Sequence, residues 1–370
     1  MTTRLAPIVL VLIAACGDDA ATSDPWDWGL PAGFPVPRVP ADNPMNADKV
    51  ELGRRLFYDT RLSGNGTQAC ASCHVQAHAF AEPLETSVGS TGQPHFRNAM
   101  SLTNVAYNVR QTWANPLLVH LEQQALVPMF GESPVELGLA GREAELMARL
   151  ADDPDYPALF ARAFPEERFA ITLDTIVKAI AAFQRTLISA DSPYDRFWYR
   201  KDPSAMSADA IAGFELFFSE RLECFHCHGD FNFSSASVHA GTSFDEVTFH
   251  NNGLYDEDGK GAYPAGDQGV LDVTGNPDDM GRFKAPTLRN IALTAPYMHD
   301  GSIATLDAVI DHYVAGGRGP LKSTFVKKFD LSADERRQLL AFLHALTDTT
   351  FVADPRFSDP FAAGAGGRSR

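Results

Sequence analysis

Two stretches of the chain hold cysteines three apart and follow them directly with histidine: Cys70-Ala71-Ser72-Cys73-His74 and Cys224-Phe225-His226-Cys227-His228. At this spacing a pair of thiols can add across the two vinyl groups of one haem. The adjoining imidazole then falls beneath the iron as its proximal ligand. Zinc half-sites and redox dithiols are the competing chemistry for paired cysteines. The 370 residues contain only five cysteines, and four of them fall into these two pentapeptides, which favours two covalently bound c-type haems.

The fifth cysteine, Cys16, closes Leu12-Ile13-Ala14-Ala15-Cys16 behind Arg4 and an apolar run. That run is too short to span a bilayer and reads as an export signal. Small residues before the cysteine resemble a bacterial lipobox, in which the cysteine is acylated and becomes the mature N-terminus; ordinary cleavage beside an incidental cysteine is the alternative. Both readings place the chain in the periplasm or cell envelope, touching membrane only through an N-terminal lipid at Cys16. No cysteine is left for a disulfide.

The elements that must position the two motifs follow one plan twice. Gly53-Arg54-Arg55-Leu56-Phe57 precedes the first motif and Gly213-Phe214-Glu215-Leu216-Phe217 the second; downstream, Ser101-Leu102-Thr103-Asn104-Val105-Ala106 is echoed by Thr287-Leu288-Arg289-Asn290-Ile291-Ala292. Two echoes in the same order imply two copies of one haem domain. The expected organisation is a signal with lipobox over 1–16, a Pro-, Ala- and Asp-rich tether over 17–45, haem domains over 46–195 and 196–350, and a tail over 351–370. A link near 190–204 divides the domains. Periodicity predicts helices over 46–58, 141–150, 172–188, 207–218, 305–314 and 332–346, the last opened by Ser332 and Glu335 in capping-box spacing. The long Gly-, Asp- and Asn-rich stretch between the second motif and Lys284 is expected to wrap the second haem.

Composition suits a soluble body: 45% hydrophobic residues supply two compact cores, and no later stretch is apolar enough to cross a membrane. The net charge of −16 argues against nucleic acid and against adsorption to anionic lipid. It suits either solubility alone or a basic protein partner.

From about residue 46 to 347 the chain resembles bacterial di-haem cytochrome c peroxidases and their relatives MauG and MbnH. The resemblance rests on the paired motifs, Arg97-Asn98, Pro286-Thr287-Leu288-Arg289-Asn290, Ala295-Pro296-Tyr297-Met298-His299-Asp300-Gly301 and Thr305-Leu306. It implies an all-α fold of two cytochrome c-like domains with a calcium ion between the haems. Asn98, Thr294 and Pro296 match the family's calcium contacts, oxygen donors of the hardness calcium prefers. Trp113 matches a tryptophan between the haems that relays electrons or holes. Glu136 matches the distal carboxylate that moves a proton as the peroxide bond breaks, with Gln124 and Pro128 shaping the same pocket. Glu122 is its competitor.

Two departures set the expected chemistry. Ser90 stands where the peroxidases commonly place a distal histidine on the first haem, so the first iron is expected to be five-coordinate, with His78 and His95 as nearby substitutes. Fourteen residues beyond His299, where those peroxidases supply a methionine ligand, stands Tyr313, the MauG and MbnH pattern. Met298 and His312 are the alternative ligands, and His299 is expected to support the second haem by a hydrogen bond. A phenolate stabilises high oxidation states of iron and lowers its potential. The resemblance thus implies that hydrogen peroxide generates high-valent haem iron and that an exported partner protein is oxidised, at a side chain such as tryptophan. Detoxification of peroxide with electrons from a small cytochrome or copper protein is the alternative, and a non-catalytic electron-transfer lipoprotein a third reading. MauG has a tryptophan two residues before its second motif as an exit for holes; this chain has Leu222, so another exit is needed, with Trp198 or a nearby tyrosine as the substitute.

Overall fold

The computed structural model describes residues 26–362. Cys16 and its apolar run lie outside them, as does the end of the tail. Among the described residues the structure is built from α- and 3-10 helices joined by long loops, with isolated β-bridges and no strand. No helix there is long and apolar enough to cross a membrane.

The repeated sequence plan becomes a repeated helix crossing. Helix Ala47–Tyr58 packs across Leu173–Arg185, and helix Ala208–Phe217 across Ala333–Ala345. Each crossing is closed by the glycine of the first echo. A Cβ on Gly53 would lie 1.9 Å from the Ala179 carbonyl oxygen, and one on Gly213 would lie 2.0 Å from that of Gln338. Only glycine lets the backbones approach this closely. One turn later, Phe57 and Phe217 insert into the two cores, each 5.3 Å between ring centroids from a phenylalanine of the crossing helix, Phe183 and Phe342. Side-chain caps start these helices: Asn46 accepts from the Lys49 N–H, Thr172 from Thr175, Ser207 from Ala210 and Ser332 from Glu335.

The second echo is equally physical. Asn104 and Asn290 adopt left-handed backbone conformations, φ +56° and +62°. Their side-chain oxygens accept the N–H of Ser189 and Asp348, both at 2.7 Å. Their own N–H groups donate to Leu187 and Leu346. Each asparagine thus fastens the loop behind a histidine motif to the end of its unit's long helix. The stretch from Gly229 to Phe283 contains, among regular elements, only Leu271–Thr274 and a 3-10 turn at Pro277–Asp279. As expected, it lies against the second motif, contributing His250, Asn252 and Phe283 to the adjoining cavity.

Three segments differ from expectation, each because apolar or charged side chains found burial. The tether is docked before its end: Phe34 packs on Tyr107 and Phe231, and the Tyr107 hydroxyl donates to the Pro35 carbonyl. The supposed link holds the helix Pro193–Trp198, capped by Ser192. Its Asp195 forms a fully buried ion pair with Arg289 at 2.8 Å. The start of the tail folds over the first unit, where Phe351 meets Phe80 and the Tyr58 hydroxyl donates to the Phe357 carbonyl.

Candidate functional site

Each Cys-x-x-Cys-His segment borders a cavity. The second is the larger, with about 1670 Å³ of atom-free space against about 710 Å³ at the first, the open mouths included. Burial pushes the Cys70 and Cys224 thiols up to about 12, and Cys73 and Cys227 up to about 11. A redox dithiol works through a stabilised thiolate, the opposite shift. Thiols kept neutral at the rim of a large cavity suit thioether attachment instead.

The histidines agree. His74 Nδ1 lies 2.9 Å from the Phe80 carbonyl oxygen, and His228 Nδ1 3.1 Å from that of Phe233. A carbonyl can only accept, so both Nδ1 atoms carry the proton and both Nε2 lone pairs are free for a metal. Burial lowers the pKa of both imidazoles, that of His228 to about 4, so they stay neutral. Phe80 and Phe233 themselves take left-handed backbones to present these carbonyls. The donor set and the space fit a covalently held haem at each motif.

The first cavity is walled by Gln124, Pro128, Glu136 and His95, together with Gln184 and the backbone of 87–89. Gln124 and Pro128 share a face of helix Leu121–Phe130 at i, i+4 spacing. Glu136 follows on a loop pinned from two sides. The Leu137 N–H donates to the Pro128 carbonyl at 2.8 Å, and the Glu136 carbonyl accepts the Ser90 N–H at 2.7 Å. Gly89 is where the loops touch, since a Cβ there would sit 1.8 Å from the Val135 oxygen. Glu122 is excluded from this cavity. Its carboxylate takes Arg185 at 2.7 and 2.8 Å and Asn43 at 2.6 Å.

Ser90 braces the Glu136 loop through its backbone and does not line the cavity; neither does His78. His95 does. Its Nδ1 accepts the Arg97 N–H at 3.0 Å, which leaves the proton of the neutral ring on Nε2, 3.6 Å from Glu136 Oε1. Nothing in the spacing of the sequence marks His95 as part of this wall.

Tyr313, on helix Leu306–Val314, lines the second cavity together with Cys224 and Cys227. Burial pushes its phenol well above the ordinary range. His312 donates from Nε2 to the Asn252 carbonyl at 2.9 Å and does not line the cavity. Met298 does, with its sulfur 3.3 Å from the Asn252 amide nitrogen. His299 stacks on Phe283 at 3.7 Å, its Nε2 3.0 Å from Asp267 Oδ2 in an ion-pair contact off the line of a hydrogen bond. Burial would raise the Asp267 pKa, but His299 and Arg97 outweigh it and hold the carboxyl below its usual range.

Trp113 joins the two units. Its Nε1–H donates to the Asn98 carbonyl at 2.9 Å and its own carbonyl accepts the Lys284 N–H at 2.7 Å. Asn98, Thr294 and Pro296 all line the second cavity. Asn98 Oδ1 and the Thr294 and Pro296 carbonyls accept no hydrogen bond among the described residues. Oxygens of this kind are the donors a hard cation prefers.

Residues 47–204 match the model of the family described as di-haem cytochrome c peroxidase. The cytochrome-c peroxidase IdrP1 of Denitromonas iodatirespirans is 36% identical over 376 residues, 94% of each chain. The methylamine utilization protein MauG of Methylorubrum extorquens is 34% identical, covering 85% of this chain and 82% of its own. A crystal structure of a MauG-like protein associated with microbial copper homeostasis superposes with a TM-score of 0.88 at 52% identity, over 90% of this chain and 99% of that one. With likeness of this extent, the chain belongs to the di-haem cytochrome c peroxidase and MauG family, haem oxidoreductases that act on peroxide.

Proposed function

We propose that the chain is an exported, lipid-anchored di-haem peroxidase that uses hydrogen peroxide to oxidise a side chain of a partner protein. Residues 46–195 act as the peroxidatic unit and 196–350 as the electron-transfer unit. Tyr313 carries this reading. It lines the second cavity, whereas His312 is committed to Asn252 and does not, and Met298, which does, has its sulfur engaged by the Asn252 amide. A phenolate disfavours the reduced state that a small electron donor must produce, where a thioether would favour it.

The haems held by His74 and His228 would supply the redox chemistry, by which peroxide takes up two electrons and two protons to give two waters. The chain supplies the rest. Glu136 takes the proton from the near oxygen of peroxide and delivers it to the far one, with the His95 ring 3.6 Å away on the same wall. Gln124 and Pro128 hold the shape of that pocket. Trp113 offers an aromatic step between the units. Asn98, Thr294 and Pro296 hold calcium at the seam, completed by water.

The exit is supported by a surface aromatic. Leu222 is buried, 5% exposed, and cannot meet a partner. Trp198 is 45% exposed and stacks on the buried Tyr194, with 6.2 Å between centroids and 8° between planes. Tyr194 lies 4.9 Å from Phe233, whose carbonyl holds His228. The test is mass spectrometry of co-exported proteins incubated with the holoprotein and peroxide. The expected product is a hydroxylated tryptophan on one of them, which gives up two electrons and two protons and takes its oxygen from water. Fast steady turnover with a small cytochrome or copper protein, and no modified partner, would make the detoxifying peroxidase the function.

A further inference from the structure

The second cavity contains a charge that the protein does not balance. Lys284 is 2% exposed, and its side chain lines the cavity. Its backbone is fixed by the bond to Trp113, but its ammonium makes no hydrogen bond or ion pair among the described residues. Burial is the only influence on it and pushes its pKa down to about 7. Glu223 is the only carboxylate lining the cavity, and it is taken: His226 Nε2 lies 2.6 Å away and Lys327 Nζ 3.6 Å. The other lining cation, Lys327, is 64% exposed and can be solvated. An apolar side chain would fill the space of Lys284 without the cost of burying an unpaired ammonium. A lysine kept here points to an anion inside the cavity.

A haem brings that anion. Its vinyl edge is fixed where Cys224 and Cys227 stand, and its two propionates leave the ring on another edge. The backbone bond from Lys284 to Trp113 places Lys284 at the seam between the units. We propose that the Lys284 ammonium is the counter-ion of a propionate of the second haem, turning the propionate edge toward Trp113 and the first unit. Lys284 is then a positioning residue. It also offsets the negative charge that a Tyr313 phenolate adds in the same apolar space, so it raises the electron affinity of the second site. The inference rests on the two-haem reading of the cavities and is independent of the partner.

The test is a dye-coupled redox titration of the purified holoprotein, followed in the absorbance of the second haem. K284Q and K284M are expected to shift its reduction equilibrium toward ferric by about tenfold, or ~59 mV for one electron, while K284R stays within about threefold of wild type. Haem content is read in parallel by the pyridine haemochrome assay. Neutral variants that lose the second haem, with K284R keeping both, also support the pairing. Neutral variants with unchanged equilibrium and content overturn it, as does a K284R as altered as K284M. Fewer than two haems in the wild type would sink the underlying reading instead.

Discussion

At the residue scale the two carboxylates that competed for the distal role have separated. Glu136 opens on the first cavity, and Glu122 is consumed by Arg185 and Asn43. Glu136→Gln keeps the shape and removes the proposed proton carrier, so the peroxide reaction should slow by roughly two orders of magnitude in stopped flow. Glu122→Gln should leave that rate alone. A second expectation concerns ligation: the ferric protein should show one high-spin and one low-spin haem by electron paramagnetic resonance, and Tyr313→Phe should change only the low-spin signal. Two low-spin haems at rest would bring His95 in as a ligand of the first iron. The proximal ligands were legible because attachment needs its residues contiguous in sequence. The distal wall gathers positions 95, 124, 128, 136 and 184 from separate loops and helices. Only Gln124 and Pro128 are joined by a helical spacing; resemblance nominated those two and Glu136, His95 was named beside His78 as a substitute ligand, and Gln184 emerged only from the fold.

At the scale of elements, a glycine that looks like a helix weakness proves to be the condition for the fold. Gly53 and Gly213 each meet a backbone carbonyl that cannot rotate away. Gly53→Ala and Gly213→Ala gain helix propensity yet must spread the crossing. Each should cost about 1–3 kcal/mol or more by overpacking, measured as a lowered thermal midpoint of the holoprotein. A higher midpoint would mean that the crossing is looser than described. Long amphipathic helices such as Ala47–Tyr58 and Ala333–Ala345 were legible from capping residues and period. Leu121–Phe130 was not, because Pro128 lies inside it, where a proline ordinarily argues against a helix. Pro193–Trp198 was hidden by polar neighbours whose partners, such as Arg289 for Asp195, lie far along the chain.

At the scale of the whole molecule, the proposed oxidation of a partner protein needs a route from the first unit to a substrate too large to enter either cavity. Trp113 lies at the seam, and the Pro193–Trp198 helix carries Tyr194 and Trp198 from behind His228 to the surface. An exposed, stacked indole is a rigid anchor for a partner as well as a redox station. Lys201 lies over its ring at 5.5 Å, and the net charge of −16 draws basic surfaces toward the chain. Trp198→Phe preserves an apolar contact while removing the indole. It should leave the peroxide reaction at the first site unchanged, because that pocket is built from other elements. The yield of oxidised partner should fall by roughly tenfold, the loss expected for one dominant contact residue. Trp198→Tyr, still oxidisable, should recover part of that yield. If Trp198→Phe modifies its partner as fully as the wild type, the electrons leave the substrate by another face, and Trp198 is only a surface aromatic steadied by Tyr194.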